Sequence, residues 1–263
     1  MSFIVNPYVY SSPLCADADG NAFLIATGIT NPTIVSAICT LVTSLKSQGI
    51  WSKLDAIYPF VGGTATTHMY NLKNPANTNA AFRLSFVGGW THSANGALPN
   101  ATNAYADTYF NNTNINQNSH HMSYYSRTNS NGTEVEMGTF SVVNGSLIEI
   151  RTSGVSYYRI NNGTSFISHS DANSLGYYIA NRTASNSINA YKNGSQVASG
   201  SIASVTPVSL NIFIGAFNSG GTPQFYTSKQ CAFSTIGSGL TNTDAVNLYN
   251  TIQTFQTTLG RQV

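Results

Sequence analysis

The stretch Ala190-Tyr-Lys-Asn-Gly-Ser-Gln-Val-Ala-Ser-Gly-Ser201 decides the fold class. Its residues alternate on either side of Asn193-Gly194. A two-residue Asn-Gly connection is the strongest short-range sign of a type I′ hairpin, because both central residues must accept positive φ and the turn must match the twist of its strands. A further apolar strand, Leu210-Asn-Ile-Phe-Ile-Gly-Ala216, follows it. Upstream, the markers Gly62-Gly63, Gly88-Gly89, Asn95-Gly96, Asn131-Gly132, Asn144-Gly145 and Asn162-Gly163 punctuate short runs of strand-forming residues. The runs predict strands over, among others, Ala56–Phe60, His68–Leu72, Phe82–Phe86, Ala104–Phe110, Met122–Arg127, Thr133–Thr139, Ser146–Arg151, Gly154–Ile160, Gly176–Ala180 and Ala232–Ile236. Many short strands at this spacing indicate an all-β antiparallel sandwich or jelly roll.

Two segments break that rhythm. Ile34, Ile38, Leu41 and Leu45 recur at helical spacing, with Pro32 at a tolerated first position and Gly49 beyond the last turn, so residues 32 to 48 are expected to form an amphipathic helix. Near the other end Thr241 and Asp244 hold capping-box positions ahead of the stripe Leu248, Tyr249, Ile252 and Phe255, and Gly260 stops a short C-terminal helix. The first 30 residues give two apolar runs, Phe3-Ile-Val5 and Ala22-Phe-Leu-Ile-Ala26, separated by the turn-rich Ser11-Ser-Pro13 and Asp17-Ala-Asp-Gly20. The organisation expected is a sandwich domain over residues 51–263, preceded by a segment over 1–50 that is a candidate docking element.

Composition narrows the function. Charged residues are 8% of the 263, against about 25% in an average domain, while hydrophobic residues reach 41% and aromatics 11%. The surface must therefore be rich in hydroxyls and amides. A formal net charge of +2 with no Lys/Arg run gives no electrostatic footprint for nucleic acid. Cys15, Cys39 and Cys231 are far apart, odd in number and without metal-ligand spacing, so free buried thiols in a reducing cytoplasm are expected. Neither a signal-peptide pattern nor an apolar run of about 18 residues is read, so no secretion or membrane insertion is expected.

The segment from Gly176 to Gly260 resembles the closing third of the concanavalin A-like lectin/glucanase sandwiches, the laminin-G-like branch in particular. The resemblance lies in Gly176-Tyr-Tyr-Ile-Ala180, the Asn-Gly hairpin, the Ile214-Gly-Ala216 strand, Lys229-Gln-Cys-Ala-Phe-Ser-Thr-Ile-Gly237 and the helix start Leu240-Thr-Asn-Thr-Asp244. Such closing segments occur in phage tail, fibre and other virion proteins, and Trp51–Gly63 and Ala81–Asn100 resemble segments of phage structural proteins. The resemblance implies a non-enzymatic virion component located in the virion and made in the host cytoplasm. It would be a capsid decoration, fibre or tail element, a homo-oligomer contacting other virion proteins, with host surface glycans as a further contact. The alternative it implies is a free carbohydrate-binding lectin; a glycoside hydrolase is the weaker third.

The residues speak against hydrolysis. Glucanases of this fold carry Glu-x-Asp-x-x-Glu along one strand, and Thr133-Glu-Val-Glu-Met-Gly138 matches only in part, with Thr139 where the third acid belongs. Glu134 and Glu136 are expected as a solvent-exposed pair. No G-x-S-x-G elbow occurs, and His120-His121 must point to opposite faces of a strand. For sugar recognition, flat rings and short amides are the required chemistry. The candidates are Trp90, His92 and Asn95 in a glycine-flanked loop, together with Tyr105, Tyr109 and Asn112. No cofactor is required; calcium, which orients loops in lectins of this fold, has Asp107 and Asp171 as its candidate ligands.

Overall fold

A computed structural model describes residues 14–263. The apolar run Phe3-Ile-Val5 and the turn Ser11-Ser-Pro13 lie outside the described residues. The chain forms two sheets packed face to face. The eight-stranded sheet runs β13 (Ser195–Gly200), β12 (Ser187–Lys192), β11 (Gly176–Ala184), β6 (His120–Ser126), β17 (Cys231–Gly237), β4 (Gly96–Pro99), β3 (Trp90–Ser93), with β1 (Leu54–Tyr58) also paired to β17. The nine-stranded sheet runs β10 (Ile167–Ser170), β9 (Val155–Asn162), β8 (Gly145–Thr152), β7 (Met137–Phe140), β14 (Asn211–Ile214), β5 (Tyr105–Asn111), β2 (Ser85–Val87). A hairpin of β15 (Phe217–Ser219) and β16 (Thr222–Gln224) joins it through β7. All pairings are antiparallel except β15 with β7. The protein is an antiparallel β-sandwich, as the turn spacing indicates.

The hairpin that decided the fold class forms as its chemistry requires. Asn193 (φ 50°) and Gly194 (φ 77°) both take positive φ, and Lys192 pairs with Ser195. A Cβ on Gly194 would sit 2.8 Å from the Tyr249 ring, so glycine serves both the turn and its close approach to the C-terminal helix.

What distinguishes the two sheets is covering. The inner face of the eight-stranded sheet meets the other sheet through Tyr58, Met122, Tyr124, Tyr178 and Ile236 against Ala106, Phe110, Ile148, Tyr158 and Ile160. Its outer face lies under three helices, α1 (Ala18–Thr27), α2 (Pro32–Ser47) and α4 (Asn242–Thr258). There Tyr125, Tyr177, Ile179 and Phe233 share a second core with Phe23, Ile38, Leu41, Leu45, Leu248, Ile252 and Phe255. Every residue of β6 and β17 is therefore buried. Several polar members of these strands are satisfied internally, as in Tyr124 Oη to the Lys229 carbonyl (2.6 Å) and Ser123 with Thr235 (2.6 Å). The nine-stranded sheet keeps a free outer face: β5 alternates buried with half-exposed along its whole length, and among the described residues no helix packs over it.

Both expected helices form, the C-terminal one running to 17 residues. Asn31 caps α2 through bonds to Thr33 and Ile34, and the Thr241–Asp244 capping box opens α4. Several expectations are corrected. Asp17-Ala-Asp-Gly20 is not a turn: Asp17 accepts from the amides of Asp19 and Gly20 as the N-cap of α1, which absorbs the run Ala22–Ala26. The strand expected over His68–Leu72 does not form: His68 closes a short helix, α3 (Ala65–His68), started by a Thr64–Thr67 capping box, and Asn71 makes only an isolated bridge to Asn74. The strand expected from Thr133 begins only at Met137. The hairpin β3–β4 around Asn95-Gly96 and the short strands β10, β15 and β16 were not foreseen. The cysteines were misread as well. Packing α1 along α2 brings Cys15 and Cys39 to a Cα separation of 5.5 Å, where they form a disulfide, and only Cys231 is a free, buried thiol.

Candidate functional site

Because helices seal the other sheet, the open face of the nine-stranded sheet is where side chains can meet a ligand. The β15–β16 hairpin contributes to two clefts on it. On one side Asp107, Asn111, Leu210, Asn211, Phe213, Asn218 and Gly221 line a polar cleft of about 300 Å³. Tyr105, Asp107, Tyr109 and Asn111 project outward from β5 at the two-residue period while Ala106, Thr108 and Phe110 point into the core. The Tyr105 ring lies 4.7 Å from that of Phe213, making an aromatic pair beside the cleft. Asp107 accepts from Asn211 Nδ2 at both oxygens (3.1 and 3.2 Å) and from the Tyr109 amide (2.7 Å), while Asn218 Nδ2 donates to the Asn211 carbonyl (2.7 Å). A carboxylate and three amides are thus held on neighbouring strands beside the half-exposed Tyr105 ring and the buried Phe213 ring on which it packs.

On the other side of the hairpin, Val135, Phe140, Leu147, Phe166, Phe217 and Phe225 form an apolar cleft of about 290 Å³, with Glu134, Glu149 and Arg159 among its polar lining. Arg159 is 4% exposed, its guanidinium 4.7 Å from the Phe140 ring and 4.1 Å from that of Phe166. Burial lowers its pKa to about 10 against the pull of Glu149, and burial raises the Glu149 carboxyl.

Three of the residues foreseen for ligand contact, Tyr105, Asp107 and Tyr109, come together on the open face. The others do not. Trp90 is half-buried at the edge of the eight-stranded sheet: its indole N–H donates to the carbonyls of Val87 (3.0 Å) and Tyr105 (3.2 Å), and its ring packs on Phe86, His92 and Gly215. It ties the edges of the two sheets instead of presenting a flat face. His92 Nδ1 meets His68 Nδ1 at 2.9 Å, and Asn95 is exposed in the β3–β4 turn. Asn112 turns inward, buried, and donates to Asn161 Oδ1 (3.0 Å). Asp107 and Asp171 sit at opposite sides of the nine-stranded sheet. Asp171 is buried and enclosed by Lys192, Ser156 (2.7 Å) and Tyr178 (2.8 Å), which it holds inside the protein. Among the described residues no three His, Cys, Asp or Glu side chains converge to hold a metal ion. Residues that the sequence reading passed over, Asn211, Phe213, Glu149 and Arg159, share the outward phase of alternating strands; the missing signal was which face the helices leave uncovered.

The Glu134/Glu136 pair is corrected from solvent-exposed to internal. Lys229, itself fully buried, lies between Glu134 (2.9 Å) and Glu136 (3.1 Å); Glu136 is also fully buried and accepts from the Ile150 amide and Thr227. Two carboxyls around one ammonium carry an excess negative charge that burial resists. The half-buried Glu134, hydrogen-bonded to Ser228 and Lys229, stays ionised with a lowered pKa, while burial raises that of Glu136 to about 7.

No family model matches the chain, and no curated protein matches it in sequence. Solved structures similar to it include the NanB sialidase from Streptococcus pneumoniae (12% identity, TM-score 0.45, 62% of this chain and 27% of that one). Another is domain 4 of AbnA, a GH43 extracellular arabinanase from Geobacillus stearothermophilus, in complex with arabinotriose (14% identity, TM-score 0.46, 75% of this chain and 98% of that one). A third is the CBM40 of Ruminococcus gnavus IT-sialidase bound to α2,3-sialyllactose (13% identity, TM-score 0.40, 51% of this chain and 83% of that one). The likeness is one of sandwich architecture, and the chain spans about a quarter of the length of the sialidase it matches.

Proposed function

We propose that the protein is a non-catalytic carbohydrate-binding module that takes its ligand on the open face of the nine-stranded sheet. The observation that supports this reading is the polar cleft: a positioned carboxylate, Asp107, with the amides of Asn111, Asn211 and Asn218 beside the Tyr105–Phe213 ring pair, on a sheet face that none of α1, α2 and α4 covers among the described residues. Directional donors and acceptors next to an apolar ring are what a sugar's hydroxyl edge and C–H face require. The reading as non-enzymatic is supported by the acids nearest a glucanase pattern, Glu134 and Glu136, being engaged with buried Lys229. The test is a glycan panel read by calorimetry, with Asp107→Asn and Tyr105→Ala each expected to weaken binding about tenfold or more. A panel without a single ligand, or a ligand indifferent to both substitutions, overturns the reading. A virion component showing this face to host glycans is its finer form. That form rests on the resemblance of Gly176–Gly260 and calls for a closed homo-oligomer in light scattering.

A further inference from the structure

We propose that the apolar cleft on the far side of the β15–β16 hairpin is a second subsite, built for a neutral amide bearing a small apolar group, and that it holds the acetamido group of an N-acetylated sugar. This rests on the carbohydrate reading above. The walls are the rings of Phe140, Phe166, Phe217 and Phe225 with Leu147 and Val135, and Phe225 is 49% exposed, so the cleft is open to a ligand.

Its polar groups select what enters. Arg159 gives one guanidinium N–H to the Thr164 carbonyl (2.9 Å), but its buried Nε–H has no partner. A buried donor left unmet is costly, and an acceptor brought by a ligand relieves it. Glu149 supplies the matching acceptor. Glu134 does not, since its oxygens are already taken by Lys229, Ser228 and Thr227. Arg159 and Glu149 cancel in charge, so an anion or a cation in this apolar cleft would leave one charge uncompensated, and a pure hydrocarbon would leave the Nε–H unmet. An acetamido group answers all three demands: its carbonyl accepts from Arg159, its N–H donates to Glu149, and its methyl is buried among the rings.

A matched pair of probes tests this. N,N′-diacetylchitobiose and cellobiose share one β-1,4-linked glucose backbone and differ in the acetamido groups. In calorimetry the diacetylated sugar is expected to bind about tenfold tighter, the scale of one satisfied hydrogen bond with one buried methyl. Phe225→Ala and Glu149→Gln should bring the two sugars to within about twofold of each other, with thermal unfolding confirming that both variants fold. Equal affinities in the wild type, a preference that survives both substitutions, or no binding of either sugar overturns the subsite. Whether the general reading stands is decided separately by the glycan panel and Asp107→Asn. Tighter binding of N-acetylglycine N-methylamide than of diacetylchitobiose overturns the sugar in favour of a peptide amide.

Discussion

Glu136 shows how a residue legible in the sequence can change its meaning inside the fold. The pattern Thr133-Glu-Val-Glu-Met-Gly138 marked two acids of one short segment, but only Lys229, 93 positions beyond Glu136 in the chain, joins them into an ion-paired triad. Burial raises the folded pKa of Glu136 to about 7, above its unfolded value. Its stabilising contribution is therefore full at low pH and lost as pH rises through 7. His68 and His120, pushed to about 3 by burial, and His121, pushed to about 4, act in the opposite sense: their contribution is present above the unfolded value near 6.5 and lost as pH falls towards 3 to 4. Each changes stability by up to about 1.4 kcal/mol per pH unit. With His92 and His169 also lowered, five histidines stand against the raised Glu136, Glu149 and Asp55, and the melting temperature should drop between pH 6.5 and 5, more steeply in Glu136→Gln, which removes the main opposing slope. A flat profile in scanning calorimetry rejects this assignment. Trp90 was read as a presented ring and is a strut. Trp90→Ala should cost about 3 kcal/mol of stability through the cavity it leaves, seen as a lowered urea midpoint, with ligand contacts on the polar cleft altered only indirectly.

At the scale of elements, the helices carry the clearest sequence signals and two long-range locks that spacing did not reveal. The Thr241 cap and the apolar stripes of α2 and α4 are local chemistry and form where they were expected, and Asn31, not foreseen, caps α2. The Cys15–Cys39 link is not local. It depends on α1, whose Asp17 cap resembled an isolated turn until the helix behind it was seen. Closing a loop of this length is worth about 3 kcal/mol by the loop-entropy relation, so reductant or Cys39→Ser should lower the unfolding midpoint, while Cys231→Ser should not mimic the reductant. The second lock follows α4. Arg261, nearly fully buried, donates to the carbonyls of Pro59, Phe60, Ala94 and Ala232 and to Gln256, fastening the chain after α4 to the loops after β1 and β3. Arg261→Ala leaves these acceptors unmet and should cost about 3 kcal/mol or more; a chemical unfolding midpoint unchanged from wild type contradicts that role.

For the whole molecule, the scarcity of charge sets how it meets a ligand. With 11 basic and 9 acidic residues and a net +2, little long-range field surrounds the open face. Binding there is expected to change less than about twofold between 50 and 300 mM salt, and a steep salt dependence in calorimetry would point to an ionic ligand. The alternation of short strands, the Asn193-Gly194 turn and the two helical stripes determined the sandwich and its helices, because these are properties of neighbouring residues: turn chemistry, side-chain period and capping. Tyr105 and Tyr109 were singled out as rings for sugar contact and Asp107 as a calcium ligand; the fold sets all three on one outward phase of β5. The tertiary structure alone decided which sheet lies under the helices and which stays open, and so whether an outward phase meets solvent or core. It also decided that Trp90 and Asn112 are structural, that Cys15 reaches Cys39, and that Arg159 and Glu149 share a cleft with the β15–β16 hairpin. Those outcomes depend on the packing of segments distant in the chain, and a period of two residues is the same on a covered face as on an open one.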